Sequence, residues 1–307
     1  MIRSSVHLTL DQAVARIVRW RGASSLNASP LPGGITNVSY RVDVDGEVFV
    51  LRIEGTGTEH LGVDRRREYR CLLAAARTGV GPEVVEWLPD HGLLVTRFIG
   101  GRPLSAADLE RPEMLERVVR SLRLYHGGPD FQGLFSPFLA VQDYLRAARG
   151  QGAPLPGDTQ RMYEHAAEID RALRPGWPTA RPCHNDLWGP NLIDDGTLVR
   201  IVDWEYAAMG DVHFDLANLA IHHRFSDTED EALLNAYSGG VSARSLARLK
   251  LLKILAELRE AMWCMVGVTF SEADFDFFGY AATHFDRYRE ALDDTRLSDW
   301  MVEANAG

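Results

Sequence analysis

The chain has few cysteines, no long basic run and no long apolar run. Its three cysteines, Cys71, Cys183 and Cys264, are odd in number and lack CxxC spacing, which argues against a disulfide framework or a structural zinc site. A formal net charge of −10 without a basic run argues against nucleic acid as a partner. We therefore expect a protein of the reducing cytoplasm.

Association with a membrane is not expected either. The first segment, MIRSSVHLTLDQAVARIVRW, carries charge within its apolar part, so it lacks the uninterrupted apolar core of a signal peptide. No later stretch has the apolar length that a bilayer span requires. The chain has 307 residues, of which 46% are hydrophobic and 25% charged. These values suit a globular protein of one or two domains, whose oligomeric state the sequence leaves open.

The first hundred residues alternate between helix and strand patterns. Thr9 and Gln12 have the spacing of a capping box, which predicts an N-terminal helix that ends by Gly22. The Asp45-Gly46 pair favours a tight hairpin turn between two runs of alternating hydrophobicity. The other predicted elements of this part are strands over residues 39–44 and 48–53, a helix over 64–78, and a second hairpin over 84–88 and 93–98.

Helical patterns dominate after the breaker cluster at residues 100–103. The predicted long helices include residues 114–126, 158–173, 229–237 and 243–266. Residues 181–203 differ, because two prolines and two short apolar runs there predict a loop followed by a small hairpin. We therefore predict an α+β fold with two lobes, a small β-rich lobe over residues 1–99 and a larger helical lobe over residues 100–307.

The predicted loop carries residues suited to phosphoryl transfer. Asp186 and Asn191 lie in HNDLWGPN, and Asp203 ends the second strand of the hairpin that follows. Phosphoryl transfer needs a carboxylate to orient and deprotonate a hydroxyl, and a divalent cation, usually Mg²⁺ with oxygen ligands, on the phosphate oxygens. Singly, each aspartate could be a cap or turn residue. Their order in the chain favours Asp186 as the catalytic base, with Asn191 and Asp203 as magnesium ligands.

Candidate nucleotide-binding residues precede this loop. A Gly-Gly turn at residues 33–34 lets backbone N–H groups approach phosphates closely. Arg52 lies at the end of a strand, where Glu68 could orient it toward the phosphates; the alternative is a solvated strand residue and a charged helix face. The strand over residues 96–99 leads into the linker and offers backbone groups to adenine. The predicted set is Gly33, Gly34, Thr36, Asn37, Arg52, Glu68, Thr96 and Phe98.

The motifs GGITN, VLRI, HNDLWGPN and IVDWEYA, followed by FDLAN, resemble those of the choline/ethanolamine kinase family. Members are relatives of aminoglycoside phosphotransferases and share the bilobal protein-kinase-like fold. The resemblance covers Gly33 to about Tyr288. It implies that ATP and Mg²⁺ are used, that residues 1–99 bind the nucleotide, and that residues 100–307 hold the catalytic loop and acceptor pocket. It also supports the roles of Asp186, Asn191 and Asp203, and makes Arg52 the counterpart of the protein-kinase strand lysine.

The resemblance further implies a small amino alcohol, choline or ethanolamine, as acceptor. A quaternary ammonium cannot donate a hydrogen bond and is held by aromatic ring faces together with a nearby carboxylate. Aromatic residues late in the chain could supply these faces, although aromatic residues at helical spacing also pack in cores. The predicted acceptor-binding residues are Asp186, Glu205, Trp263, Phe275 and Tyr280.

One position departs from the pattern of the family. Choline kinases typically present a glutamate after the FDLAN motif, and this chain has His222 there. Histidine does not supply a fixed negative charge near neutral pH. Either Glu205, Glu257 or Glu260 replaces that acid, or the acceptor is another hydroxyl compound, such as an aminoglycoside or thiamine. A catalytically inactive nucleotide-binding module is the remaining alternative, although no catalytic group is missing.

Overall fold

The computed structural model of the chain describes residues 8–271 and 274–305. The expectation of no signal peptide rests on residues 1–20. Of these, residues 1–7 lie outside the described residues. A five-stranded antiparallel sheet with the strand order β1-β2-β3-β5-β4 forms the first part of the chain. Its strands are β1 (Leu26–Leu31), β2 (Asn37–Val44), β3 (Glu47–Glu54), β4 (Val84–Leu88) and β5 (Leu93–Arg97).

The two predicted hairpins are present, and β1 is an additional strand that the sequence did not predict. The turn between β2 and β3 falls at Asp45-Gly46, where both residues have positive φ, as a tight hairpin turn requires. Strand β1 pairs with β2 along its whole length. It contains Pro30, which removes a ladder donor and is tolerated because β1 is an edge strand.

The N-terminal helix is shorter than predicted. Helix α1 spans only Leu10–Val14 and begins at the expected capping box. Ile17 has an extended backbone conformation that ends the helical run, and a single 3₁₀ turn, Val18–Trp20, follows. Ile17 and Trp20 are buried against the sheet in one cluster with Phe49. Packing on the sheet therefore overrides the helical periodicity at this position.

Helix α2 (Arg65–Arg77) begins at Asp64, whose carboxylate accepts hydrogen bonds from two backbone N–H groups of the first turn. The later part of the chain is mostly helical, with short strand pairs. Its helices are α3 (Ala106–Leu109), α4 (Pro112–His126), α5 (Pro137–Gly150), α6 (Thr159–Leu173), α7 (Val212–His222), α8 (Asp227–Ser238), α9 (Ala243–Gly267), α10 (Phe277–Leu292) and α11 (Leu297–Asn305). Its strands are β6 (Arg102–Pro103), β7 (Arg181–Cys183), β8 (Leu192–Asp194), β9 (Val199–Ile201) and β10 (Ala208–Gly210).

Helix α9 is the central helix of this second part. It packs against α5, α7, α10 and α11 and is buried around its whole circumference from Ala247 onward, except at Lys253. Charged residues on such a helix need partners inside the protein. Within the part of the chain that the structure describes, no helix combines the length and the apolar composition that crossing a membrane requires.

Candidate active site

The loop between β7 and β8 is anchored by a carboxylate from α7. Asp215 accepts the backbone N–H groups of His184 at 2.9 Å and of Asn185 at 2.7 Å. Asn185 has a φ of 67°, in the left-handed region that asparagine tolerates better than most residues. The loop that carries Asp186 is therefore held to α7 by the hydrogen bonds of His184 and Asn185.

Asp215 is itself fully buried and satisfied. The hydroxyl of Tyr125 donates to it at 2.6 Å, and Nε2 of His126 lies 2.9 Å from the same oxygen. Burial alone would raise the pKa of Asp215, but the hydrogen bonds from His126, Tyr125 and the loop hold that pKa below its ordinary value. The sequence pattern does not mark this residue as functional, although it is the aspartate of the FDLAN motif.

We expect Asp215→Asn to loosen the catalytic loop. An amide in place of the carboxylate turns an NH₂ donor toward N–H and O–H donors, which should lower the free energy of unfolding by about 3 kcal/mol. Misplacement of Asp186 should lower kcat by up to about a hundredfold. Chemical denaturation and steady-state kinetics measure the two effects.

The matched control is Asp211→Asn. Asp211 is buried on the same helix, where it caps the N-terminus and pairs with Arg248. This variant should lose stability and keep its turnover at temperatures where it is folded. Equal turnover in both variants would contradict the role of Asp215 in loop placement.

His184 joins the loop to the strand segment that leads to Asp203. Burial lowers the pKa of His184 to about 4, so the imidazole is neutral. Its Nε2 lies 3.0 Å from the carbonyl oxygen of Val202, and its Nδ1 lies 3.2 Å from the backbone nitrogen of Asp186. A neutral ring that donates from Nε2 and accepts at Nδ1 satisfies both contacts. The side chain of His184 thus fixes the position of Asp186 relative to the segment that leads to Asp203.

Asp186 has few partners for a half-buried carboxylate. The side-chain nitrogen of Asn191 donates to its Oδ2 at 3.3 Å and to its backbone oxygen at 3.0 Å. Nη1 of Arg259 lies 3.7 Å from Oδ1. Burial raises the pKa of Asp186 to about 7; Glu260 and Glu205 also raise it, and Arg259 opposes the shift. Such a carboxylate can accept a proton near neutral pH, as a general base must.

Asn191 and Asp203 have the chemistry of a divalent cation site. Because the nitrogen of Asn191 faces Asp186, its side-chain oxygen is left as a ligand. Oδ1 of Asp203 is buried and has no hydrogen-bond partner, and the nearest cationic atom among its ion pairs is Nη1 of Arg52, at 3.8 Å. Burial and then Glu205 raise the pKa of Asp203 well above its ordinary value. A hard cation would give the unpartnered Oδ1 a partner, so the residues fit Mg²⁺.

Arg52 is held in place mainly by Glu68. It forms a close ion pair with buried Glu68, and Arg65 donates to the other oxygen of Glu68 at 2.8 Å. Burial alone would lower the pKa of Arg52, but the charge and hydrogen bond of Glu68 raise it above its ordinary value. The structure thus brings together the predicted pair and adds Arg65, which the sequence reasoning missed.

Glu205 contacts the glycine turn. Thr36 donates to its carboxylate at 3.0 and 3.2 Å, Asn37 donates at 3.1 Å, and Arg65 lies 3.1 Å away. Gly33 has a φ of 98°, and a Cβ atom at Gly34 would collide with the carbonyl oxygen of Asn37. The turn therefore requires both glycines, and its polar side chains are directed to Glu205.

Two predicted nucleotide-binding residues lie apart from this cluster. Thr96 is buried in β5, opposite Val50 and Val84 in the sheet register. Phe98 follows the strand and donates its backbone N–H to the carbonyl oxygen of Val48 at 3.1 Å. Neither residue lines the cleft that contains Asp186. Both residues lie at the end of β5, and their contact with adenine remains a prediction.

The cleft at Asp186 brings together all the predicted acceptor-binding residues, with Asp203 and part of the glycine turn. It is lined by Gly33, Ile35, Thr36, Asp186, Trp188, Asp203, Glu205, Tyr206, His222, Arg259, Glu260, Trp263, Phe275 and Tyr280. Trp263 donates its indole N–H to the hydroxyl of Tyr206 at 2.7 Å. The ring centroids of Phe275 and Tyr280 are 5.4 Å apart. All three aromatic residues predicted for acceptor binding therefore share the cleft with Asp186.

Arg259 and Glu260 form the charged wall of this cleft. Nη1 of Arg259 lies 2.5 Å from Oε1 of Glu260, and the guanidinium sits 4.5 Å above the ring of Tyr206. His222 lies 3.7 Å from the same carboxylate oxygen, and burial lowers the pKa of His222 to about 3, so the ring is neutral. The role of Arg259 is not evident from the sequence, because helical periodicity gives no sign that a charged residue is buried.

Known proteins are similar to this chain in sequence and in architecture. Residues 27–252 match the phosphotransferase enzyme family. Protein LicA of Haemophilus influenzae is 25% identical over 273 residues, which cover 85% of this chain and 79% of that protein. Probable choline kinase 2 of Arabidopsis thaliana is 24% identical over 303 residues, which cover 87% and 85% of the two chains.

Among solved structures, a choline/ethanolamine kinase family protein from Mesorhizobium loti is similar, with a TM-score of 0.82 and 29% identity. The match covers 96% of this chain and 97% of that chain. These similarities confirm the predicted resemblance, the α+β protein-kinase-like fold and the prediction of a phosphotransferase. The chain belongs to the phosphotransferase enzyme family.

Proposed function

We propose that this protein transfers the γ-phosphoryl group of ATP to the hydroxyl of a small amino alcohol, with choline and ethanolamine as the candidate acceptors. The observation that carries the proposal is the position of Asp186, which contacts Asn191 and lines a cleft together with Asp203 and several aromatic rings. The names of the relatives, choline kinase and ethanolamine kinase, support the acceptor class. We place the reaction in the cytoplasm, where the three buried free cysteines stay reduced.

Asp186 would orient the acceptor hydroxyl and take its proton as the oxygen attacks the γ-phosphorus atom of ATP, whose bond to the bridging oxygen breaks to release ADP. Its raised pKa suits this role, because the group can hold a proton near neutral pH and is ionised for part of the time. Asn191 and Asp203 would hold Mg²⁺, which when bound neutralises charge on the phosphate oxygens. Arg259 lies close enough to Asp186 to favour its ionised form.

Residues 1–99 would bind the nucleotide. Arg52, oriented by Glu68, supplies the positive charge for the phosphates. The turn at Gly33 and Gly34, pinned to Glu205 through Thr36, would cover the phosphates with backbone N–H groups. The end of β5, with Thr96 and Phe98, would offer backbone groups to adenine.

The rings of the cleft favour an amino alcohol over an aminoglycoside. Trp263, Phe275 and Tyr280 provide apolar and π surface for a small ammonium. Of the acids in the cleft, Glu205 is already bound to Arg65 and Glu260 to Arg259. A polycationic aminoglycoside would need more uncompensated carboxylates than this wall provides.

A substrate panel tests the proposal. The purified protein is incubated with ATP and choline, ethanolamine, thiamine or kanamycin, each with and without Mg²⁺. ADP release is followed, and the phosphorylated product is identified by mass spectrometry. We expect product from choline or ethanolamine only when Mg²⁺ is present, and no excess ADP without an acceptor. Turnover of kanamycin or thiamine alone would overturn the amino alcohol as acceptor.

A further inference from the structure

A carboxylate beside the aromatic rings of the cleft would determine which ammonium compounds fit as acceptor, and three glutamates are candidates. Of the alternatives, Glu205 is bound to the glycine turn and Arg65. Glu257 is bound to His284 and does not line the cleft at Asp186. Glu260 lines that cleft beside the aromatic rings.

The contacts of Glu260 leave one of its oxygens for a ligand. Within the described part of the chain, its polar partners all approach Oε1: Arg259 at 2.5 Å, Asn218 at 3.4 Å and His222 at 3.7 Å. Oε2 is therefore available in a site where the residue is only 4% exposed. An N–H group of a ligand in the cleft can donate to this oxygen.

The ring of Tyr206, which also lines the cleft, is less suited to bind a methylated cation. The guanidinium of Arg259 lies over the ring of Tyr206 at 4.5 Å, so the chain's own cation already covers that ring face. The hydroxyl of Tyr206 accepts a hydrogen bond from Trp263. This end of the cleft thus offers a carboxylate oxygen and a neutral imidazole beside the rings of Trp263, Phe275 and Tyr280.

We infer that Glu260 is the acid that binds the acceptor ammonium, and that it selects an ammonium carrying N–H groups over a quaternary one. This inference rests on the proposed function. A primary ammonium can donate hydrogen bonds to Oε2 of Glu260 and still lie against the rings. A trimethylammonium group would place methyl groups against that oxygen and leave it without a donor, which polar sites discriminate against strongly.

The methylation series of ethanolamine tests the selection without any mutation. The kcat/KM values of ethanolamine, N-methylethanolamine, N,N-dimethylethanolamine and choline are measured at saturating ATP and Mg²⁺. We expect kcat/KM to be lower for choline than for ethanolamine by about tenfold to a hundredfold. A kcat/KM for choline equal to or above that for ethanolamine overturns the inference alone. If none of the four compounds is phosphorylated, the proposed function fails as well.

The variant Glu260→Gln tests the residue. It keeps the shape of the side chain and removes its charge, so KM for ethanolamine should rise about tenfold or more while kcat changes less. The ratio of kcat/KM for ethanolamine to that for choline should fall toward one. Glu257→Gln is the matched control, because it removes a buried carboxylate of the same helix that pairs with His284.

We expect the control to keep the wild-type ratio. A thermal melt of each variant shows that the measurements are made on folded protein. An unchanged ratio in Glu260→Gln, or an equal loss of the ratio in Glu257→Gln, would remove Glu260 from the proposed role.

Discussion

Replacing Asp186 by asparagine is expected to lower kcat by about a thousandfold, because a general base contributes about a hundredfold to ten-thousandfold to the rate. The amide has nearly the same shape and can still contact Asn191, but it cannot accept the hydroxyl proton. The affinity for ATP should change by less than about threefold, since the base acts on the acceptor. Steady-state ADP release and isothermal titration with ATP measure the two quantities.

The control for this prediction is Asp299→Asn, on an exposed residue of α11. It makes the same chemical change far from the cleft and should leave both quantities unaltered. Two outcomes would contradict the assignment of Asp186. One is turnover in Asp186→Asn within about threefold of wild type, which excludes a general base of ordinary strength. The other is loss of ATP affinity in parallel with turnover, which would move Asp186 to nucleotide binding.

The sequence alone predicts those parts of the fold and site that depend on neighbouring residues. The Asp45-Gly46 pair is sufficient for the β2–β3 hairpin, because the turn conformation is a property of the two residues themselves. HNDLWGPN likewise contains both Asp186 and Asn191, so their proximity follows from five positions of chain. Asp203 joins them because the β8–β9 hairpin returns the chain to the same edge.

The sequence does not predict contacts between side chains that are distant in the chain. Glu205 was predicted to bind the acceptor, and the structure connects it to Thr36 and Arg65, which are distant in the chain. Arg259 and Glu260 belong to a helix buried all round, and apolar periodicity does not show which charged residues on such a helix face a cleft. Edge strand β1 was missed for a related reason, since its pairing depends on β2 rather than on a pattern of its own.

Replacing Asp203 by asparagine is expected to remove the effect of Mg²⁺ on ATP binding and to lower kcat/KM by roughly a thousandfold, equivalent to about 4 kcal/mol of lost charge stabilisation. Asparagine is preferable to alanine in this test. Asp203 has a φ of 63°, which asparagine adopts readily, whereas alanine would add strain of about 1 kcal/mol. Any loss in Asp203→Asn therefore reports on the carboxylate rather than on the backbone.

Titration of ATP with and without Mg²⁺ gives the answer for wild type and variant. Asp45→Asn is a matched control, because Asp45 is also an aspartate with positive φ, 52°, in a turn of the sheet, and it should keep the wild-type response to Mg²⁺. Arg52 stays paired with Glu68 in Asp203→Asn, so binding of ATP without the metal should persist. If Mg²⁺ strengthens ATP binding equally in wild type and Asp203→Asn, Asp203 is not a metal ligand. Its buried Oδ1, which has no hydrogen-bond partner, must then act through its ion pair with Arg52 instead.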